Sequence, residues 1–272
     1  MAVLPGRAAP GGPPAIADPS ARGPIAGDVP GFLEVVTHDL RAPIAAVRTM
    51  ISILSQGHLG ELQAPQADLL QRVERRLESL QALVDDLIDL AAVRAGWDSG
   101  GGADVCAAAR RACGRVARDA GAPGPAVFLE EASGPVQVAM GASGLDLVLH
   151  HLLGNAIKYG GGRGVRVRVE RLEDHARVTV ADAGIGIPDE EMRHLFEPLF
   201  RAPGARAVAP GSGLGLLIVR EAVERCAGTV EIESAEGTGT AVTLRLPLAD
   251  AAGPPLPGTP STPGTPSAGG GA

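Results

Sequence analysis

Aromatic residues make up only 2% of this 272-residue chain, so its core must be built from aliphatic side chains. Basic residues are outnumbered, with 24 Lys and Arg against 31 Asp and Glu, and this balance argues against a nucleic-acid partner, which needs a basic face. No apolar run approaches the ~20 residues of a bilayer span, and proline and glycine interrupt any signal-peptide core at the start. These absences predict a cytoplasmic protein without a membrane span.

Cysteine is also scarce. The three cysteines, Cys106, Cys113 and Cys226, are odd in number and lack metal-ligand spacing. We interpret them as small apolar residues in a reducing compartment.

Proline and glycine divide the chain into segments. Residues 1–30 and 249–272 are too rich in these residues and in small side chains to order themselves, and 97–103 reads as a glycine linker. Two folded segments remain, 31–96 and 104–248, and apolar residues are plentiful enough for a core, at 45% of the chain.

The first folded segment carries a heptad pattern on two predicted helices joined by a short turn. Further apolar residues widen each stripe beyond a two-stranded seam, so two copies are needed to cover it, and we predict a homodimeric four-helix bundle. The seam consists of Leu33, Val36, Leu40, Pro43, Val47, Met50 and Leu54, and then of Leu70, Val73, Leu77, Leu80, Val84, Leu87 and Ala91.

The second folded segment mixes the periods of strands and helices. We predict strands at 165–173, 175–182, 229–234 and 240–248, and helices at 104–119, 143–159 and 213–226. Asp104 is the expected N-cap of the first of these helices. The predicted fold class is α+β, with an α/β sandwich in which helices cover one face of a mixed sheet.

A histidine, an acid and a proline occur together in VVTHDLRAPIAAV (35–47). The heptad pattern turns His38 outward, with Asp39 beside it and Arg41 on the same side. Pro43 removes a helical hydrogen bond at a cost of about 3 kcal/mol, so we expect the helix to bend or loosen there. A neutral imidazole can attack while a carboxylate holds its other N–H, although a His-Asp pair is also ordinary on a solvated helix face.

The motif HHLLGNAIKYG places Asn155 and Lys158 three residues apart, on one face of a helix. Lys158 offers a point charge for phosphate, and Asn155 offers an amide oxygen for Mg²⁺. Both residues are also common on helix surfaces, so alone the motif is weak.

The motif DAGIGIP (182–188) follows a strand, and its glycines let the backbone approach a flat ligand. The Asp182 carboxylate accepts hydrogen bonds, which suits the amino group of adenine and would repel the keto oxygen of guanine. An ordinary turn is the alternative interpretation.

Two later motifs complete the pattern. GSGLGLLIVREAV (211–223) opens a helix with three glycines, and the free N–H groups of its first turn can bind an anion. GTGT (237–240) is predicted to be a turn between the last two strands. Between these motifs and DAGIGIP, FEPLF (196–200) is predicted to be an apolar latch on a short helix, and RAPGARAVAP (201–210) a flexible lid.

In this order, the motifs resemble those of bacterial sensor histidine kinases. THDLRAPI resembles their phosphoacceptor box, LVDDLIDLAAVRAG (83–96) looks like the second helix of their dimerisation hairpin, and the later motifs resemble their ATP-binding domain. The resemblance implies ATP-dependent phosphorylation of His38, with Asp39 and Arg41 assisting, and transfer to an aspartate of a separate response regulator. It implies ATP and Mg²⁺ as cofactors, with Asn155 as Mg²⁺ ligand and His151 as a candidate. The implied nucleotide-binding residues are Asn155, Lys158, Tyr159, Asp182, Gly184, Gly186, Ile187, Gly211, Gly213, Leu214, Gly215, Leu216 and Thr240.

The chain departs from that family at two positions. Ala42 stands where many relatives have Thr or Asn to orient water, which puts phosphatase activity in doubt. His151 stands where they usually have Asn, so the metal geometry is expected to differ. No sensor domain is recognisable before the bundle. The input signal is therefore expected to come from a separate partner or through the Pro/Gly-rich terminal segments, unless the chain is a fragment.

Two rival functions stay open at this point. A degenerate kinase could dimerise and dock a regulator without catalysis, and His151 is the residue that favours it. An ATP-gated clamp or a serine kinase could use the same nucleotide fold, but such proteins lack a heptad hairpin with an outward histidine.

Overall fold

The computed structural model describes residues 43–56, 60, 62–96, 101–119 and 126–249. The predicted catalytic residues His38, Asp39 and Arg41 therefore lie outside the described residues, as does Ala42. Pro43 is the first described residue of the first helix, so the predicted bend also falls outside them.

Two antiparallel helices form the first segment: α1 (43–55) and α2 (Ala64–Ala95). The Gln66 side chain accepts a hydrogen bond from the backbone N–H of Gln63 at the start of α2, and Gly96 ends it with a φ of 78°. Arg48 donates to Gln81 (3.4 Å) and Ser55 to Glu74 (2.9 Å), so the two helices pair in opposite directions. The predicted helical hairpin is thus present.

The hairpin leaves much of its apolar pattern in contact with solvent. Met50 is 63% exposed, and Leu80 and Leu87 are 46% and 50% exposed, although all three belong to the predicted seam. Ile51, Leu90 and Val93 are buried. A single hairpin therefore covers only part of its stripe.

A small sheet in the second segment pairs β1 (Ala103–Asp104) with β3 (Gln137–Val138). A five-stranded mixed sheet dominates the segment and consists of β2 (Val127–Glu130), β4 (Val165–Arg171), β5 (His175–Asp182), β6 (Thr229–Ala235) and β7 (Gly239–Pro247). The strand order is β2-β4-β5-β7-β6; β2 pairs parallel with β4, and the other neighbours pair antiparallel.

Helices cover one face of this sheet, as predicted. Buried Val165, Val167 and Val169 alternate with exposed Arg166 and Arg168 along β4, so one face is apolar and the other polar. The helices that join this core are α3 (Val105–Asp119), α4 (Ala142–Tyr159) and α7 (Gly215–Arg225). The α+β fold class is confirmed.

Several local predictions can be compared with the structure. Asp104 Oδ1 accepts from the backbone N–H groups of Cys106 and Val136 (both 3.0 Å), which confirms the N-cap of α3. The latch FEPLF (196–200) was wrongly predicted as a helix: it consists of turns, with Leu199 at a φ of 64°. The helix nearby is α5 (Asp189–Met192).

The segment predicted as a flexible lid contains a short helix, α6 (Pro203–Val208). Arg201 donates to the carbonyl oxygens of Ala205 (2.9 Å), inside this helix, and of Ala209, which follows it, so one guanidinium holds both positions. None of the described helices is long and apolar enough to cross a bilayer.

Candidate functional site

A cavity of about 350 Å³ lies between α4, α7, the end of the sheet and one side of α2. This volume falls in the range of small-molecule sites. Residues that the sequence analysis singled out from four separate motifs line it. These are His151, Asn155, Lys158, Tyr159, Asp182, Gly186, Ile187, Gly211, Gly213, Gly215, Leu216 and Thr240.

Two of the predicted nucleotide-binding residues do not line the cavity. Leu214 is 2% exposed and packs in the core, immediately before α7 begins. Gly184 lies behind the cavity wall, where a Cβ atom would come within 1.9 Å of the carbonyl oxygen of Tyr159. Their contribution is to shape the backbone around the cavity.

Asp182, the last residue of β5, turns its carboxylate toward the cavity. Its Oδ1 accepts a hydrogen bond from the backbone N–H of Gly184 (2.8 Å). Burial raises the pKa of this carboxyl above its ordinary value, and the backbone hydrogen bonds of Gly184 and Thr240 partly oppose that shift. Asp182 is thus a half-buried hydrogen-bond acceptor on the wall of an apolar pocket.

The loop after Asp182 is held by main-chain contacts. Ile185 donates its N–H to the carbonyl of Tyr159 (3.1 Å), at the end of α4, and accepts from the N–H of Gly237 (2.7 Å). Gly186 has a φ of 64°, and a Cβ atom there would lie 1.9 Å from the carbonyl oxygen of Ala235. Only glycine fits this crowded left-handed position.

The Ser234 side chain joins this loop to the turn between β6 and β7. A turn was predicted at 237–240; it lies at 236–238, and Gly239 and Thr240 are the first residues of β7. Its hydroxyl accepts from the N–H of Ile187 (2.9 Å), donates to the carbonyl of Gly239 (2.9 Å) and lies 2.8 Å from Oγ1 of Thr240. Sequence reasoning missed Ser234, because its role depends on a contact between segments far apart in the chain.

The glycine-rich motif ends in α7, which begins at Gly215 rather than at 213 as predicted. Ser212 Oγ accepts from the backbone N–H of Leu214 (3.0 Å) and donates to the carboxylate of Asp86. The N–H groups of Gly215 and the next two residues belong to the first turn, which leaves them without partners inside the helix. The positive end of α7 therefore faces the cavity.

The end of α4 supplies the polar side chains opposite. Asn155 is half-buried and Lys158 is exposed, and both line the cavity. Within the described residues, the amide of Asn155 makes no hydrogen bond, so its oxygen is available to a ligand or a hard cation.

The side of the cavity next to α2 was not anticipated from the sequence. Asp85 and Asp86 line it, and His151 lies with Nε2 3.4 Å from Oδ2 of Asp89 and Nδ1 4.0 Å from Oδ1 of Asp86. Further along, Arg94 on α2 makes a paired hydrogen bond to Glu221 on α7. The helical hairpin therefore packs directly against the cavity that contains the predicted nucleotide-binding residues.

Two family descriptions match the chain. "His Kinase A (phospho-acceptor) domain" matches residues 31–96, and "Histidine kinase-, DNA gyrase B-, and HSP90-like ATPase" matches residues 141–250. The second range contains the cavity-lining motifs of α4, the loop after β5, α7 and the β6–β7 turn.

Curated relatives match both segments together. The chain is 34% identical over 231 residues to the "signal transduction histidine-protein kinase/phosphatase MprB" of Mycolicibacterium vanbaalenii, covering 82% of this chain. It is 35% identical over 232 residues to MprB of Mycobacterium tuberculosis, covering 81% of this chain. In both cases the chain spans 45% of the relative's length, so it matches less than half of those proteins.

Among solved structures, full-length ShkA, determined in complex with AMPPNP, has a TM-score of 0.58 at 23% identity. The match covers 82% of this chain and 47% of ShkA. At that identity the likeness shows the fold alone.

Proposed function

Because the chain belongs to the bacterial sensor histidine kinases, with their phosphoacceptor and ATPase domains, we propose that it phosphorylates His38 with ATP and passes the phosphoryl group to an aspartate of a separate response regulator. The observation that carries the proposal is the convergence of distant motifs on one cavity beside the hairpin. The domain boundaries, the cytoplasmic location and a separate sensor partner remain predictions.

Asp182 is the residue proposed to recognise the adenine base. Its carboxylate lines the cavity and accepts backbone hydrogen bonds from Gly184 and Thr240, and the adenine amino group would donate to the remaining acceptor capacity. Gly186, Ile187 and Thr240 would form the surrounding wall, while Tyr159 closes the end of α4. The Ser234 hydrogen bonds hold that wall together.

The phosphates of ATP would lie between α4 and the start of α7. Lys158 supplies a positive charge, and the first-turn N–H groups at Gly215 and Leu216 supply donors with the favourable end of the helix dipole. Gly211 and Gly213 leave room for the triphosphate. The amide oxygen of Asn155, which makes no hydrogen bond within the described residues, is a suitable ligand for Mg²⁺. A bound Mg²⁺ would neutralise charge on the phosphates.

The transfer itself uses the residues of the phosphoacceptor motif. One ring nitrogen of His38 attacks the γ-phosphorus; a nitrogen–phosphorus bond forms, the bond to the β,γ-bridging oxygen breaks, and ADP leaves. Asp39 orients the ring and takes the proton from its other nitrogen, and Arg41 contacts the transferring group. Positioning and charge neutralisation supply most of the rate in such reactions.

A homodimer is the proposed assembly of the hairpin. The exposed apolar residues of α1 and α2 form the stripe that the heptad pattern assigned to a four-helix bundle. The response regulator is the proposed second partner, and phosphatase activity toward it is expected to be weak because Ala42 cannot hydrogen-bond a water.

Incubation of the purified protein with γ-labelled ATP tests the proposal. We expect acid-labile label on the wild type, since phosphohistidine is hydrolysed in acid whereas phosphoserine is stable. We expect no label on His38→Gln, which lacks the acceptor imidazole. Absence of label despite measurable ATP binding would favour the non-catalytic docking module. Acid-stable label on His38→Gln would instead support a serine kinase and overturn the proposal.

A further inference from the structure

Three potential metal ligands meet where α2 packs on α4. Asp86 and Asp89 are three residues apart on α2 and therefore share a face, and His151 approaches them from α4. One ligand atom from each of the three lies within 4.8 Å of the other two. Within the part of the chain that the structure describes, the ion pairs of both carboxylates are with His151 alone.

The imidazole of His151 is buried with one nitrogen, Nε2, unsatisfied. The residue is 8% exposed, and Nε2 makes no hydrogen bond even though Oδ2 of Asp89 is 3.4 Å away. A buried polar atom without a partner destabilises a fold, so such an atom calls for an explanation. A separation of 3.4 Å is close to that between two ligands of one tetrahedral Zn²⁺ with bonds of about 2.0–2.2 Å.

Ser212 orients one of the carboxylates. Its hydroxyl donates to Oδ2 of Asp86, which leaves Oδ1 as the oxygen that faces His151. Ser212 is itself held by the N–H of Leu214. Hydrogen bonds of this kind to ligating carboxylates are typical of metal sites.

The donor set distinguishes between cations. One imidazole and two carboxylates suit Zn²⁺ or a similar transition metal, whereas Mg²⁺ prefers oxygen ligands alone and retains several waters. We propose that Asp86, Asp89 and His151 bind one Zn²⁺ between the hairpin and the ATPase domain, on the α2 side of the nucleotide cavity, through donor atoms other than the Asn155 amide oxygen proposed for Mg²⁺. The proposal does not depend on kinase activity.

A Co²⁺ titration of the full chain, without nucleotide or Mg²⁺, tests this site. We expect one Co²⁺ per chain, seen by its visible absorption and displaced by Zn²⁺. His151→Asn and Asp89→Asn should each weaken the affinity at least about tenfold. Asparagine is the usual residue of relatives at position 151, and Asp89→Asn is isosteric, so at least one variant should keep its fold, as checked by circular dichroism.

Neighbouring substitutions serve as matched controls. His150→Asn removes an adjacent imidazole and Asp85→Asn an adjacent carboxylate, and both should retain the wild-type affinity. Equal Co²⁺ affinity in the wild type and in His151→Asn would overturn the proposal, because the histidine would then form an ion pair only. A thiolate-to-cobalt absorption band would overturn it as well, since the metal would then be held by cysteine.

Discussion

The guanidinium of Arg94, at the end of α2, holds the carboxylate of Glu221 on α7 through two hydrogen bonds of 2.9 and 2.6 Å. This pair joins the hairpin to the ATPase domain beside the cavity. The hydrogen bond from Arg94 lowers the pKa of Glu221, with the positive charge of Arg94 adding to the effect against the opposing influence of burial.

The lowered pKa of Glu221 predicts a pH-dependent contribution to stability. A carboxyl whose pKa is lower in the folded state stabilises the fold above its unfolded pKa of about 4.3, and that contribution is lost as the pH falls through the folded pKa. We therefore expect Arg94→Gln to be less stable than the wild type at pH 7 and equal to it in acid. Urea unfolding over a pH series measures the difference.

Arg72→Gln is the control for that comparison. Arg72 pairs with Asp68 within α2, and both side chains are more than half exposed, so its loss should change stability little at any pH. An Arg94→Gln defect that persists undiminished in acid would contradict the assigned role of Glu221.

Asp182→Asn should relax the preference for adenine over guanine nucleotides. The amide of asparagine can donate to the keto oxygen of guanine, whereas the carboxylate repels it. Loss of a buried hydrogen bond of about 1–3 kcal/mol predicts a roughly 5- to 150-fold fall in the ATP-to-GTP affinity ratio. Competition of ATP and GTP against a fluorescent nucleotide measures the ratio.

Asp174→Asn provides the comparison for Asp182→Asn. Asp174 pairs with His175 and its side chain is 84% exposed, so its charge does not reach the cavity wall. If the ATP-to-GTP affinity ratio were unchanged in Asp182→Asn, Asp182 would not be the residue that recognises adenine.

Gly186→Ala and Gly114→Ala should shift stability in opposite directions. At Gly186, alanine meets a positive φ that costs about 1–2 kcal/mol and a carbonyl oxygen 1.9 Å from its Cβ, so we expect a loss of at least about 2 kcal/mol. At Gly114, inside α3, the nearest atom is a flexible arginine nitrogen 3.6 Å away, and alanine should add about 0.5–1 kcal/mol. Chemical denaturation of both variants measures the change in the free energy of unfolding. A Gly186→Ala variant as stable as the wild type would contradict the predicted steric clash.

The double substitution Leu80→Glu and Leu87→Glu should dissociate the proposed dimer. Burial of each leucine in an interface is worth roughly 1.5–3 kcal/mol, and carboxylates there would repel their counterparts. Light scattering coupled to size exclusion measures the mass over a concentration series. Gln71→Glu, at an exposed polar position of α2, should stay dimeric, and a wild type that is monomeric at every concentration would refute the assembly.

The sequence predicted those features that depend on local pattern. Alternating valines in β4, the Asp104 cap and the glycines before α7 each have a chemical reason within a few residues. The strands β1, β2 and β3 were missed, because segments of two to four residues carry too little alternation and form only through their partners.

Contacts between distant segments could not be predicted. Nothing near Ser212 or His151 in the sequence indicates that acids of α2 lie beside them, since that depends on how the two segments pack. The helix prediction for FEPLF (196–200) was wrong for a different reason. Its apolar residues resemble a helical turn, but Leu199 adopts a left-handed backbone conformation, which ends a helix.

The loop around Gly186 has a consequence for inhibitor design. Here main chain lies against main chain, at Tyr159 on one side and at Ala235 on the other. A compound bound against this surface would contact backbone atoms, which no missense mutation removes. A larger residue in place of Gly186 would destabilise the fold. Drug resistance would therefore have to arise at side chains of the walls, such as Leu216 or Ile232.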